Sequence, residues 1–309
     1  MIEIKGLTKK YGTLTALSDL TLSIQASDIF GFIGPNGAGK TTTMRILATL
    51  LEPTSGEAFI DGINVYRQGH KVRRVVGYMP DFMGVYDDLK VFEYLEFFAA
   101  AFEIPPAKRK GIVEGVLELT DLTGKKHATV DSLSRGMQQR LGLARVLIHD
   151  PKVLILDEPA SGLDPRARIE IKELLRELKK MGKTIMISSH ILSELEEICD
   201  NVGIVEQGKL VFSGTMEHIR QKFGDQSRIK VRVASGQEEK AVELLSVLPD
   251  VVKVTQVGDV ITLSCRDGNA PNALIARTIV NAGLDLISLE LEQVKLDQAF
   301  MQLTQGLVH

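Results

Sequence analysis

The sequence predicts an α/β fold with a mainly parallel sheet, followed by a small α+β domain. Three observations carry that prediction. Residues 29–33 and 153–156 are continuous apolar runs of the kind found in strands buried on both faces. Between residues 29 and 206 such runs alternate with helical patterns, the mark of a parallel sheet with helices on its faces. Beyond about residue 224 the order changes to β-α-β-β-α-β, a ferredoxin-like arrangement. At 309 residues the chain fits about two domains, placed at 1–222 and 223–309.

In order along the chain, residues 20–24 alternate as a half-buried strand would, and the run 29–33 ends in glycine. Residues 41–50 read as a helix, with Met44, Leu47 and then Leu51 at helical spacing. Residues 56–65 look like strands bent at Asp61-Gly62. A helix-rich stretch over 91–124 is broken at Pro105-Pro106, and the whole insert is set at about 82–150. The strand 153–156 leads to a long amphipathic helix over 165–181, with Ile169, Leu174, Leu175 and Leu178 on one side. Strand 184–188, helix 191–199 and strand 202–206 follow. Residues 224–227 read as a linker. The second domain is then strand 229–233, helix 238–248, strand 252–257, turn 258–259, strand 260–265, helix 271–282 and strand 285–291, with a closing helix over 294–303.

The composition is 44% hydrophobic and 25% charged, with mean hydropathy +0.05, as in soluble globular chains. A net charge of −3 supplies no global basic field for nucleic acid or an anionic membrane. Cys199 and Cys265 are too few for a disulfide framework and read as buried thiols of a reducing compartment. No window approaches the roughly 18 apolar residues of a spanning helix, and the N-terminus has no apolar leader core. The most apolar stretch, 91–102, carries Glu93 and Glu96. A membrane role would therefore run through a partner.

Gly34-Pro35-Asn36-Gly37-Ala38-Gly39-Lys40-Thr41 fits the phosphate-loop pattern G-x-x-x-x-G-K-[ST]. Its glycines let the backbone curl so that successive N–H groups face one concavity. The helix that follows adds its N-terminal partial positive charge. Lys40 is expected to reach the β- and γ-phosphates and the Thr41 hydroxyl to ligate Mg²⁺, with Thr42 beside it on the phosphate side. Strand 153–156 ends in Asp157-Glu158. Asp157 is placed to hold Mg²⁺, and Glu158 to polarise an attacking water. A carboxylate pair before Pro159 is also what a plain solvated strand end looks like.

Leu133-Ser134-Arg135-Gly136-Met137-Gln138-Gln139-Arg140 resembles the signature motif of ATP-binding cassette (ABC) ATPases. Ser161-Gly162-Leu163-Asp164 is similar to that family's D-loop, and His190, after Ser188-Ser189, to its switch histidine. Tyr11 sits where the family stacks an aromatic ring on adenine. The resemblance spans about residues 1–222 and rests on the order of these motifs behind the phosphate loop. It implies a P-loop NTPase cassette fold and catalytic roles for Glu158, His190 and Lys40. It implies nucleotide contacts from Tyr11, residues 34–42, Ser134, Gly136 and Asp164. It also implies two cassettes closing head to tail around two ATP molecules, each held by one phosphate loop and the other copy's Ser134. Ser134 read alone is an ordinary helix N-cap, and a lone histidine such as His190 is more often structural.

Two departures from the family pattern stand out. Asp81 replaces the usual glutamine, leaving a carboxylate as a further metal-site candidate, and Arg135 and Met137 replace glycine and glutamine. Together with residues 84–89 these changes resemble the antibiotic and multidrug exporter branch, an analogy at family level. The resemblance thus implies the ATP-hydrolysing subunit of an exporter, with ATP and Mg²⁺ as cofactors. It further implies a polytopic membrane permease and a second cassette as partners, and a place on the cytoplasmic face. Phe82, Tyr86, Phe92, Tyr94, Phe97 and Phe98 are candidates for the docking surface, Phe82 and Tyr86 foremost. The C-terminal domain carries no catalytic constellation, with Asp250, Asp259 and Asp267 scattered in turns, and a regulatory or dimerising role is expected. The competing function is a soluble cassette ATPase on ribosomes or DNA. A single cassette, no long coiled coil and no basic stripe speak against that alternative, and no nucleic-acid partner is expected. A P-loop kinase would leave residues 133–140 unexplained.

Overall fold

The computed structural model describes residues 1–82, 84, 88–190, 195–218, 226–266 and 272–292. Tyr86, Asp267, residues 191–194 and 224–225, the start of the predicted helix 271–282 and the predicted helix 294–303 lie outside the described residues. The chain divides into two compact units, Met1–Gly214 and Thr215–His309.

The first unit opens with a hairpin of β1 (Ile2–Tyr11) and β2 (Leu14–Ile24), then β3 (Ile29–Ile33) and helix α1 (Lys40–Leu47). Next come β4 (Ser55–Ile60), β5 (Ile63–Asn64), α2 (Gly69–Val75) and β6 (Val76–Met79). The helical insert holds α3 (Val91–Ala101), α4 (Pro106–Leu119) and α5 (Arg135–Leu147). After it follow β7 (Val153–Leu156), α6 (Pro165–Lys180), β8 (Thr184–Ser189), β9 (Asn201–Glu206) and β10 (Lys209–Thr215).

Two sheets result. One is antiparallel along β2-β1-β4-β5, and the other runs β10-β9-β3-β8-β7-β6. Every pairing from β9 through β6 in the second sheet is parallel. The fully buried runs of β3 and β7 are therefore central strands, as their composition predicts. One continuous core cluster runs from Ile2, Ile4 and Leu22 through Met44 and Leu47 of α1 to Phe32 and Ile155. This packing holds the start of α1 between the sheets. In the insert, the double proline gives Pro106 at the first position of α4, where a missing N–H costs nothing.

The structure corrects several readings. β1 is a full strand, and β2 extends well before residue 20. Bulges between Ile4 and Leu7 and again beyond Leu7 break the two-residue alternation that would have revealed β1. Helix α1 stops at Leu47, so Leu51 packs on the core from outside it. Ile169 is 56% exposed, and the buried face of α6 is Ala167, Ile171, Leu174, Leu175 and Leu178. α2 and β10 were not foreseen, and residues 196–198 form a turn, so no helix reaches Cys199. Both cysteines are free, but only Cys265 is buried outright. Cys199 packs its sulfur against Gly31, where a Cβ would come within 3.1 Å, and burial pushes its thiol pKa up.

The second unit contains β11 (Gln226–Val233), α7 (Glu238–Ser246), β12 (Val251–Val257), β13 (Val260–Arg266), α8 (Asn272–Asn281) and β14 (Leu286–Glu292). β11 starts inside the stretch read as a linker. Its sheet runs β12-β13-β11-β14, antiparallel throughout. Ile229, Val231, Ala241, Leu245, Ile261, Leu263, Ile275 and Ile279 form a core of its own.

Candidate active site

The site lies at the carboxyl ends of β3, β6, β7 and β8, where ligands of open parallel sheets are held. β3 feeds residues 34–39 into α1. Gly34 accepts no side chain, since a Cβ there would fall 2.3 Å from the Val205 carbonyl oxygen. Gly39 is restricted twice over. Its φ is +102°, and a Cβ would stand 2.6 Å from Leu17 and 2.7 Å from the Ala16 carbonyl oxygen. The Ala38 amide donates to the Pro35 carbonyl at 3.2 Å, and Gly208 donates to the Ala38 carbonyl at 3.0 Å. α1 begins with no side-chain cap, which leaves the first-turn N–H groups free for an anion.

Lys40 is 6% exposed. Its Nζ donates to the carbonyls of Gly34 at 2.6 Å and Pro35 at 3.2 Å, and it lies 3.9 Å from Glu158 Oε1. Burial holds its pKa down, against the opposing pull of Glu158 and Asp157. Thr41 is exposed and Thr42 half-buried at the mouth of the helix, while Pro35, Asn36 and Gly37 are exposed along the loop.

β7 delivers the carboxylates. Asp157 is 1% exposed. Its Oδ1 accepts a 2.6 Å bond from Ser188 Oγ, and its buried Oδ2 has no hydrogen-bond partner among the described residues. The same Ser188 oxygen accepts from the Glu158 backbone N–H at 2.9 Å. Glu158 sits in the left-handed region at φ 50°, a strained conformation for a non-glycine residue of the kind stored at functional sites. Its Oε2 accepts from His190 Nδ1 at 2.9 Å. One hydroxyl at the end of β8 therefore holds the Asp157 carboxylate and the Glu158 backbone together. Sequence reasoning gave Ser188 no role, because its place beside Asp157 appears only when β8 pairs with β7.

The remaining candidates are dispersed. Ser134 caps α5, its Oγ accepting from the Met137 N–H at 3.4 Å, and Asp164 caps α6, accepting from Ala167 at 2.9 Å. No hydrogen bond among the described residues joins Ser134, Gly136 or Asp164 to the loop 34–41. Asp81 is exposed just past β6. Tyr11 ends β1, half-exposed, with Lys9 Nζ 5.1 Å from its ring centre. Of the predicted docking residues, Tyr94 is fully buried core and Phe82 is 85% exposed. Among the described residues no helix is long and apolar enough to cross a membrane.

Buried Asp157 Oδ2, without a hydrogen-bond partner among the described residues, fits a ligand of a bound divalent metal ion. With donors for phosphate on one side and an oriented carboxylate–imidazole pair on the other, the arrangement can bind a nucleoside triphosphate and activate water against it.

Comparison with known proteins agrees with this chemistry. The family model described as ABC transporter matches residues 17–161. The bacitracin transport ATP-binding protein of Bacillus licheniformis is 35% identical over 99% of this chain and 98% of its own. The daunorubicin resistance ATP-binding protein of Streptomyces coeruleorubidus is 33% identical over 98% and 95%. A solved ATP-binding subunit of an ABC transporter superposes with a TM-score of 0.66 at 31% identity, covering 72% of this chain and 93% of that one. A dimeric bacterial ABC transporter cassette gives 0.64 at 26%, covering 70% and 99%.

Proposed function

The chain belongs to the ABC transporter family as an ATP-binding, ATP-hydrolysing subunit, and from that premise we propose that it drives export through a composite site shared between two cassettes. The observation that carries the proposal is the split of the machinery. Loop 34–41, Asp157, Glu158 and His190 gather at the strand ends, while Ser134 and Gly136 make no hydrogen bond to that loop. A site complete on one chain would bring the two halves together; a site completed by a second copy leaves them apart.

In this reading residues 34–42 hold the phosphates, with Lys40 leaving its carbonyl partners for the β- and γ-oxygens. Asp157 and Thr41 hold Mg²⁺, with Asp81 as a further candidate; the ion would neutralise phosphate charge when bound. Glu158 takes the proton of the attacking water, and His190 holds Glu158 while facing the γ-phosphate. The signature residues Ser134 and Gly136 and the D-loop Asp164 belong to the face the second cassette meets, and Tyr11 to the adenine.

The membrane partner is a polytopic permease, reached at the inner face of the membrane. Support comes from a cavity of about 230 Å³ where the insert meets the sheet, lined by Leu50, Tyr78, Phe98, Phe102, Arg145 and His149. Phe82, 85% exposed at the start of the insert, is a second apolar candidate for that contact. Export is the direction because the relatives include proteins of bacitracin transport, daunorubicin resistance and Nod factor export. We take 1–222 as the cassette, 82–150 as its insert and 223–309 as an accessory ferredoxin-like domain; the β-α-β-β-α-β order and the sheet order β12-β13-β11-β14 support that last assignment.

Glu158→Gln is expected to lower turnover by roughly 10²–10⁴-fold, the scale of a positioned base, with ATP binding kept and an ATP-dependent dimer trapped in size-exclusion chromatography. Turnover at the wild-type rate would remove Glu158 from the role, and a variant that stays monomeric with saturating ATP would remove the composite site.

A further inference from the structure

The N-termini of α5 and α6 lie side by side, joined by two contacts, and a third ties α5 to the loop that leads into α6. A Cβ on Gly136 would meet the Ala167 Cβ at 3.0 Å, so the helices approach closely there. One turn along, Arg140 faces Glu170 at 3.7 Å while also binding Asp121 at 2.9 Å. The third contact is the unusual one. A Cβ on Gly162 would lie 2.5 Å from Arg135 Cζ, 2.6 Å from Nη2 and 2.7 Å from Nη1. Three nearly equal distances, with the central carbon nearest, set the guanidinium face-on against the glycine. A Cβ there would push the guanidinium off the loop, and the φ of +66° also favours glycine. A planar delocalised cation suits such a flat peptide surface, whereas an ammonium does not.

Through its neighbour Ser161, Gly162 is tied to the backbone of Glu158. The Ser161 N–H donates to the Glu158 carbonyl at 3.0 Å, closing a turn over the strained φ of Glu158. Leu163 and Ala160 continue the loop through a 3.4 Å bond, and Asp164 ends it by capping α6. The loop 159–164 is therefore pinned at Glu158, at the α6 cap and, through Gly162, at Arg135 of the signature helix.

We infer that Arg135 is a positioning residue: its guanidinium clamps Gly162 so that the loop behind Glu158 follows the start of α5. On the composite-site reading, on which this rests, Ser134 and Glu158 of one chain serve different ATP sites. The clamp then makes the state of one site felt at the base of the other, giving cooperativity between the two ATP molecules.

The test uses the full-length chain with Arg135→Ala, Arg135→Lys and Gly162→Ala. Arg135→Ala is expected to speed amide hydrogen exchange across residues 159–164 in the nucleotide-free protein. It should leave ATP affinity within about twofold, lower kcat about tenfold and bring the Hill coefficient for ATP close to 1. Arg135→Lys should fail to rescue. Gly162→Ala, which displaces the guanidinium, should reproduce the defect, and adding Arg135→Ala to it should cost nothing more, since the two changes remove one interaction. Exchange in 159–164 unchanged by Arg135→Ala overturns the clamp. Faster exchange with wild-type kcat and Hill coefficient overturns its role in positioning Glu158. Failure of the composite site itself reads out separately, as the absence of an ATP-dependent Glu158→Gln dimer.

Discussion

At the scale of single residues, His149 illustrates how one orphaned atom makes a measurable demand. Its Nε2 lies 3.0 Å from the Val76 carbonyl oxygen, which places the ring proton there. Its buried Nδ1 has no partner among the described residues, and the ring stacks on Phe102 with centres 3.9 Å apart. A second proton would put a charge on that bare nitrogen, and burial accordingly holds the pKa below its usual 6.5. Above pH 6.5 the ring is neutral in both folded and unfolded chain and there is no penalty. Below it the unfolded chain gains a proton that the fold resists, so stability declines, and the decline levels off beneath the lowered folded-state value. Thermal unfolding between pH 7 and 5 is therefore expected to show a shallower pH slope for His149→Phe than for wild type. The variant's absolute stability should fall about 1–3 kcal/mol from the unpaired Val76 carbonyl. Equal slopes would place the acid sensitivity elsewhere. Such tertiary pairings are invisible in sequence. Lys40, Asp157, Glu158 and His190 were legible because each sits in a motif of fixed order. Ser188 was not, because a serine at a strand end has no distinctive neighbour until β8 is laid beside β7.

At the scale of elements, periodicity succeeded where the backbone is regular. β3 and β7 announce themselves as unbroken apolar runs, α5 starts behind Ser134 read as a cap, and α6 starts at Pro165 as read. It failed where a bulge or a two-faced pattern intervenes. β1 shifts register repeatedly along its pairing with β2, so its inward residues never keep step. In α6 the positions 167, 171, 174, 175 and 178 form the inward stripe, and Ile169 lies off it although it is as apolar as the rest. Leu175→Ala is thus expected to cost about 2–5 kcal/mol, and Ile169→Ala to fall within about 0.5 kcal/mol of wild type. Urea denaturation of both variants decides it. A large loss at Ile169 would show that a partner or another surface covers it in solution.

At the scale of the molecule, each compact unit has a core of its own, the first with a cluster built on Ile2, Met44 and Ile155 and the second with one built on Ile229, Leu263 and Ile279. The nucleotide machinery belongs wholly to the first, as loop 34–41 and the ends of β7 and β8 all fall within Met1–Gly214. Ligand binding stabilises what holds the ligand by RT ln(1 + [L]/Kd), about 2.7 kcal/mol at a hundredfold excess over Kd. Amides of β3, β7 and β8 are therefore expected to gain exchange protection with ATP in the hydrolysis-deficient Glu158→Gln background. Leu263→Ala, which opens a cavity in the second core where the side chain is 0% exposed, should cost about 2–5 kcal/mol. Its effect should appear as faster exchange in β11 and β13, with the ATP-dependent protection of β3, β7 and β8 intact. Loss of that protection in Leu263→Ala would mean that the second unit takes part in holding the nucleotide, and the division of labour between the two cores would have to be redrawn.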